Sequence, residues 1–94
     1  MSNICTATRV IDDARIRITR FDFSPGRQTG WHIHETDCVI TALTDGHMRL
    51  ELPDDTAQEV TIPAATVYRR DVGVEHTVIN AGAAPKPFVE LELK

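Results

Sequence analysis

The sequence predicts an all-β protein, built either as a double-sheet jelly roll or as a closed barrel. Short runs with period-2 alternation recur along the chain, each bounded by Gly, Pro or Asp, whereas no helical stripe of useful length occurs. The runs number about eight to ten at spacings of roughly 8 to 12 residues, which is typical of sandwiches and barrels. Because the chain has 94 residues and no linker or internal repeat, we expect one domain that spans residues 1–94.

The individual strands can be placed by their alternation and by the turns between them. They cover residues 15–23, 29–34, 37–43, 47–52, 59–62, 67–70, 76–80 and 88–93. Proline cannot donate to a β ladder, so Pro25 followed by Gly26 ends the first strand. Asp45 followed by Gly46 is a strong hairpin-turn signal. In the strand after this turn, we expect Met48 to point inward.

The first strand carries apolar residues on both of its faces. Ile16 and Ile18 share one face, but Phe21 and Phe23 lie on the other, so the alternation slips in between. Either a β-bulge re-aims the strand or both faces are buried. The second option requires another sheet or another subunit on the far side.

Composition excludes several classes of partner. The hydrophobic content of 41%, the charged content of 26% and the net charge of -4 are typical of a globular chain, and the negative balance argues against nucleic-acid binding. The first residues contain neither a basic leader nor an apolar run, and no stretch approaches the roughly 20 apolar residues of a membrane span. We therefore expect a cytoplasmic protein without a membrane partner, in which Cys5 and Cys38 are free thiols.

Two histidines in one predicted strand are the strongest chemical signal. His32 and His34 are one residue apart, so their side chains project to the same face about 6.6 Å apart at the backbone. Two imidazoles so placed can converge on one metal ion. A third histidine, His76, begins a later strand directly after a turn in GVEHTVIN.

The segments around these histidines resemble the two motifs of the cupin family. GRQTGWHIH matches the first motif's Gly, five residues and HxH, with a Gly twelve residues after the second His; GVEHTVIN matches the second motif's GxxHxxxN. The resemblance implies a jelly-roll β-barrel with its core at about residues 16–93 and one metal inside it. Carried over position by position, it makes His32, His34 and His76 the candidate ligands. The stretch GWHIHETDCV also resembles small single-domain cupins found with bacterial β-alanine catabolism.

Three positions depart from the family pattern: Val39, Ala65 at the second motif's Gly and Asp71 at its Pro, the last two affecting turn geometry more than chemistry. The usual carboxylate ligand, five residues after the second His, falls on Val39, which cannot coordinate a metal. Asp37 lies two residues earlier and, in a regular strand, on the same face, where it could replace that ligand or hold a metal-bound water. Three neutral imidazoles are still sufficient as the protein ligands of one divalent transition metal per chain, and Zn, Fe, Mn, Ni and Cu all accept imidazole. Without the carboxylate the site is more positive and favours an anionic substrate.

These features support two functional hypotheses. The first is a metal-dependent enzyme on a small anionic metabolite, of dioxygenase, lyase or isomerase type, with Asp37, Tyr68 or Cys38 as proton-transfer partner. The second is a non-catalytic cupin that binds a small molecule and has a degenerate or empty metal site, a reading motivated by Val39. In either case the expected partner is a small-molecule ligand or substrate.

Other residues support subsidiary expectations. Tyr68 and Arg70 share a face opposite Arg69, so either arginine could anchor a substrate carboxylate; the alternative is two solvent-facing arginines paired with acidic residues. Trp31 and Ile33 point away from the histidines and are expected in the core or in a subunit contact. Together with the double-faced first strand, they indicate a homodimer that buries an outer sheet face.

Two polar residues are expected to serve no catalytic role. His47 follows the hairpin turn and is predicted to lie at the surface, and Asn80 ends a strand and is predicted to bond a loop.

Overall fold

Two antiparallel sheets face each other in the structure, a computed structural model that describes residues 3–94. The strands are β1 Thr6–Asp12, β2 Ile16–Phe23, β3 His32–Ile33, β4 Cys38–Ala42, β5 Gly46–Glu51, β6 Ala57–Ile62, β7 Val67–Arg70, β8 Glu75–Asn80 and β9 Lys86–Leu93. The larger sheet has the order β1-β2-β9-β4-β7 and the smaller one β3-β8-β5-β6. Most spatial neighbours are thus distant in sequence, as in a jelly roll, and the predicted all-β fold class is confirmed. Within the described residues no helix has the length and apolar character of a membrane span.

The first strand of the structure was not predicted from the sequence. All seven residues of β1 are exposed, and the strand pairs at the sheet edge with β2. A strand exposed on both faces shows no period-2 alternation, so the pattern that revealed the other strands is absent from TATRVID. The strand predicted over residues 29–34 is also shorter, because Gly30 adopts a φ of 75° and interrupts it.

The double-faced character of β2 is real and does not come from a bulge. β2 pairs with β9 in one continuous register, from Ile16 opposite Leu93 to Phe23 opposite Lys86. The bulge interpretation is therefore wrong for this strand, whose phenylalanines point inward while its isoleucines lie on the outer face. A register shift occurs instead in β1, between Arg9 and Ile11.

The apolar core lies at one end of the barrel. Its buried residues are Phe23, Ala42, Met48 and Phe88. The rings of Phe23 and Phe88 meet edge to face with centroids 5.8 Å apart, a favoured aromatic geometry. Met48 is 0% exposed, as its predicted inward orientation requires. The core thus joins strands of both sheets and leaves the other end of the barrel available for polar groups.

A buried lysine closes the core end. Lys86 is 0% exposed, and its Nζ donates hydrogen bonds to the carbonyl oxygens of Thr44 and Ile62. A Cβ at Gly46 would lie 2.6 Å from Lys86 Cδ, well inside van der Waals contact. Gly46 therefore makes room for the lysine stem, a requirement that its place in a turn signal did not reveal.

Asn80 ties a loop to the barrel, as predicted. Its Nδ2 donates to the carbonyl oxygens of Phe23 at 3.0 Å and Ala84 at 2.9 Å, and its Oδ1 accepts from the Gly82 amide at 2.9 Å. With the side chain 1% exposed, no water can replace these partners without opening the structure.

We expect Asn80→Ala to lower the free energy of unfolding by about 2–4 kcal/mol, because it leaves several buried backbone groups without partners. Urea denaturation measures this change. His47→Ala is the matched control: His47 contacts exposed groups on Thr61 and Glu59, so its loss should cost no more than about 0.5 kcal/mol. A loss below about 1 kcal/mol for Asn80→Ala would contradict the structural role.

Candidate metal centre

Strand pairing brings the three predicted histidines together. In the β3–β8 ladder His32 lies directly opposite His76. His34 follows β3, where its amide donates to the Val74 carbonyl and its carbonyl accepts from the Gly73 amide, both at 2.8 Å. Gly73 has a φ of 92°, a conformation that other residues rarely adopt, so the glycine of GVEH shapes the turn that holds His34.

The three imidazoles present the same nitrogen to a common point. Nε2 of His34 lies 3.3 Å from Nε2 of His32 and 3.0 Å from Nε2 of His76. Metal–imidazole bonds of about 2.0–2.1 Å at bond angles of about 90–110° place two bound nitrogens roughly 2.8–3.4 Å apart. The observed separations lie in that range, so the cluster fits one transition-metal ion.

The protonation states of the histidine rings also suit the binding of a cation. Nδ1 of His32 lies 3.2 Å from the Gly30 carbonyl oxygen, which can only accept, so the neutral ring carries its proton there and leaves Nε2 bare. Burial, then the charge of His32, lowers the pKa of His34, and the same causes lower the pKa of His76 to about 4. Neutral imidazoles are the form that ligates metals.

The position assigned to the missing carboxylate needs a correction. Val39 lies on the outer face of the larger sheet, between Arg69 and Leu91. The inward position beside the histidines belongs to Cys38, which is 0% exposed and whose Sγ lies 3.4 Å from Nδ1 of His34. The turn after His34 thus shifts the strand by one residue relative to the expected spacing, and a one-residue shift exchanges the two faces.

Asp37 is not brought to the histidines. Its carboxylate accepts from Arg69 Nη2 at 3.1 Å and from the Val72 amide at 2.9 Å, and it does not line the barrel cavity. Sharing a face with Val39 does not bring Asp37 to the metal site, because that face points outward.

Tyr68 and Arg70 lie inside the barrel, whereas Arg69 lies outside. The Arg70 guanidinium sits 4.7 Å from the Tyr68 ring centroid, and both residues line the cavity. Burial raises the pKa of Tyr68. Arg69 instead pairs with Asp37 and Asp71 at the surface. The ambiguity between the two arginines is thereby resolved in favour of Arg70 as the inward one.

The cavity of about 420 Å³ is graded from polar to apolar along the barrel. The larger sheet contributes successive inward rows, and cross-strand pairing defines each of them. The outermost row is Arg17, Glu92, Cys38 and Arg70, the next is Thr19, Glu90, Ile40 and Tyr68, and the third is Phe21, Phe88 and Ala42. A ligand in the cavity therefore meets charged groups at one end and aromatic rings at the other.

Two acidic residues on the inner face of β9 escaped the sequence analysis. Glu90 and Glu92 alternate with Val89, Leu91 and Leu93, and the pattern alone does not say which set faces inward. Because the outer face of this sheet is also apolar, the usual assignment of apolar residues to the interior is inverted here. The sequence feature that could have revealed this inversion is the apolar character of both faces of β2, which pairs with β9 along its whole length.

The buried acid groups strongly influence one another. Burial, then the hydrogen bond with Glu92, raises the pKa of Glu90 to about 7. Burial, then the charge of Glu90, raises the pKa of the Cys38 thiol to about 12. Cys38 therefore stays protonated at physiological pH, as is typical of a thiol buried away from a base.

Comparison with known proteins places the chain in a family. No protein-family model matches it. It is 43% identical over 84 residues to the beta-alanine degradation protein BauB of Pseudomonas aeruginosa, an alignment that covers 89% of this chain and 87% of that protein. A crystal structure of a cupin domain from Bordetella pertussis superposes with a TM-score of 0.93 at 36% identity and covers 100% of this chain and 97% of that one.

A more distant likeness concerns the fold alone. An oxalate oxidase solved with the substrate analogue glycolate superposes with a TM-score of 0.76 at 16% identity, covering 97% of this chain and 51% of that one. Sequence identity, full-length superposition and two histidine motifs that meet inside a jelly-roll barrel lead to one conclusion: this chain belongs to the family of small cupins.

Proposed function

We propose that this cupin is a metal-dependent enzyme that acts on a small carboxylate metabolite, with one divalent transition metal held by His32, His34 and His76. The observation that carries the proposal is the convergence of three Nε2 atoms, with separations of 3.0 and 3.3 Å, at a cavity large enough for a small molecule. Burial, which lowers the pKa values of His34 and His76, supports it further.

The bound ion would supply Lewis-acid or oxygen-activating chemistry, so dioxygenase, lyase and isomerase reactions are all compatible with the ligand set. Zn, Fe, Mn, Ni and Cu each accept three imidazoles, and the donor set alone does not select among them. Tyr68 is the proposed proton-transfer residue. Because burial raises its pKa, the phenol keeps its proton and can donate it, or a hydrogen bond, to a ligand in the cavity.

Arg70 is the proposed anchor for the substrate carboxylate. None of the ion pairs found among residues 3–94 includes Arg70, whereas Arg17, the other arginine of the cavity, pairs with Glu92 and Asp12. The Tyr68 ring holds the Arg70 guanidinium from one side. An oriented guanidinium without a carboxylate partner is suited to bidentate recognition of an anion.

The relatives support a carboxylate as the anion. The related protein BauB is named for degradation of β-alanine, which is itself a carboxylate, and the oxalate oxidase was solved with glycolate, a hydroxycarboxylate. The aromatic inner row, with Phe21 and Phe88, limits the remainder of the substrate to a short apolar or weakly polar group.

A non-catalytic binding protein is the second candidate. It is favoured by the thiol of Cys38, which occupies the inward position beside His34 where the family pattern has a metal-binding carboxylate. The two candidates differ in whether the purified protein carries metal.

We also propose that the chain forms a homodimer through the outer face of the larger sheet. Ile18, Leu91 and Val39 form an apolar row across this face, and nearby Val67 is 61% exposed. A large exposed apolar patch is typical of a subunit contact. Trp31 is 52% exposed, which excludes the core position that was one of its expected roles.

A reducing, cytoplasmic location completes the proposal. It is supported by the two cysteines, Cys5 and Cys38, both of which are free thiols.

Protein purified without added metal should contain close to one divalent ion per chain by elemental analysis. His34→Ala should reduce this content several-fold, because it removes the nitrogen that contacts both of the other ligands. The matched control is His47→Ala, since His47 lies at the surface with Thr61 and Glu59. Metal far below one per chain in the unmodified protein would favour the non-catalytic candidate.

Arg70→Met should weaken glycolate binding by about 10- to 150-fold, the effect of losing a hydrogen bond to a charged group worth about 1.5–3 kcal/mol. NMR titration of the metal-loaded protein measures the affinity. Arg69→Met is the control on the same strand, because Arg69 pairs with Asp37 and Asp71 outside the barrel. Glycolamide, which lacks the negative charge, should bind both variants equally. Equal loss of glycolate affinity in both variants would refute the assignment.

Leu91→Glu should convert the dimer to a monomer, because it introduces a charge at the centre of the apolar row. Light scattering at micromolar concentration should give twice the chain mass for the wild type and the chain mass for the variant. Thr61→Glu, at an exposed position of β6 in the smaller sheet, should remain dimeric. A monomeric wild type would rule out the dimer.

A further inference from the structure

We infer that Cys38 and Glu90 act as positioning residues for His34, the thiol of Cys38 linking the imidazole to the carboxyl group of Glu90 in a hydrogen-bonded relay. The inference rests on the proposed function, because it assumes that His34 ligates a metal.

The three side chains form a closed cluster behind the metal-facing edge of His34. Cys38 Sγ lies 3.4 Å and Glu90 Oε2 lies 3.9 Å from Nδ1 of His34, the ring nitrogen that does not face the other histidines. The Cys38 sulfur, a Glu90 carboxyl oxygen and a His34 ring nitrogen all lie within 4.8 Å of one another. The exposed fractions of Cys38, His34 and Glu90 are 0%, 8% and 9%, so bulk water does not compete for these groups.

The chemistry of the groups sets the direction of the relay. A thiol has one hydrogen to donate and a sulfur that accepts, whereas a carboxylate only accepts. Nδ1–H of His34 donates to Cys38 Sγ, and the Cys38 S–H donates to Glu90. The proton of the neutral His34 ring is thus held on Nδ1, which leaves Nε2 bare toward His32 and His76. Bare Nε2 atoms on His34 and on His32 cannot hydrogen-bond each other, whereas a cation between them satisfies both.

The fold explains why the carboxyl group comes from another strand. Val39 faces outward, and the next inward residue of β4, Ile40, is paired with Glu90 of β9. A hydrogen bond from a ligating histidine to a carboxylate or similar acceptor fixes the ring orientation and increases its basicity, and its loss typically costs about 10- to 100-fold in metal affinity. Here the carboxyl group would act through the thiol.

The test is the affinity for Co²⁺, measured by competition with a chelator. Cys38→Ala and Glu90→Met should each weaken Co²⁺ binding by about 10- to 100-fold. Cys38→Ser should stay within a few-fold of the wild type, because a hydroxyl both donates and accepts. The control Cys5→Ala removes the other free thiol, which packs against the apolar core, and should leave the affinity within about three-fold.

A second readout does not depend on metal. Histidine side-chain ¹⁵N spectra of the metal-free wild type should show His34 protonated on Nδ1, and this preference should be lost in Cys38→Ala. A proton on Nε2 of His34, equal affinities for Cys38→Ala and wild type, or a thiolate-to-cobalt absorption band, which would make Cys38 a direct ligand, each overturns the relay. A wild type that binds no Co²⁺ refutes the proposed function, and the spectra then still decide whether the relay exists.

Discussion

The pairing of His32 with His76 across the β3–β8 ladder is the contact on which the rest of the site depends. It joins two motifs that are remote in sequence, and backbone pairing in the antiparallel register holds their Cα atoms opposite each other. The third ligand, His34, is added by two backbone hydrogen bonds to the turn before β8. Because folding already orders the ligands, the cost of ordering them is part of the folding free energy and does not weaken metal binding.

The fold class and the metal ligands could be predicted because they leave direct marks in the sequence. Alternation with period 2 identifies strands, and an HxH pair in a strand places two imidazoles on one face. Alternation does not reveal which of a strand's two faces points into the barrel. Glu90 and Glu92 were not recognised as cavity residues, because both faces of the larger sheet carry apolar side chains. Val39 was given the position that belongs to Cys38, because the turn after His34 differs by one residue from the motif spacing.

The remaining misses have equally physical causes. β1 is exposed along its whole length, so no burial pattern was imposed on its sequence. Arg69 and Arg70 are chemically identical, and only the register of β7 with β4 separates the inward residue from the outward one. Asp37 was expected near the histidines from its distance to Val39, and the error in the face of Val39 carried over to it. An error about which face of a strand points inward therefore affects every residue assigned on that strand. A missed strand leaves the assignments on the other strands unchanged.

Lys86 limits how far a small molecule can extend into the barrel. Its ammonium group binds the Thr44 and Ile62 carbonyls beneath Phe23, Ala42 and Met48, which are each no more than 3% exposed, so the barrel is sealed at that end. The charged row lies at the other end of the cavity. A ligand whose anionic end is held in that row can therefore extend only as far as the sealed core. The architecture thus sets an upper limit on ligand length, independently of how tightly the charged end is bound.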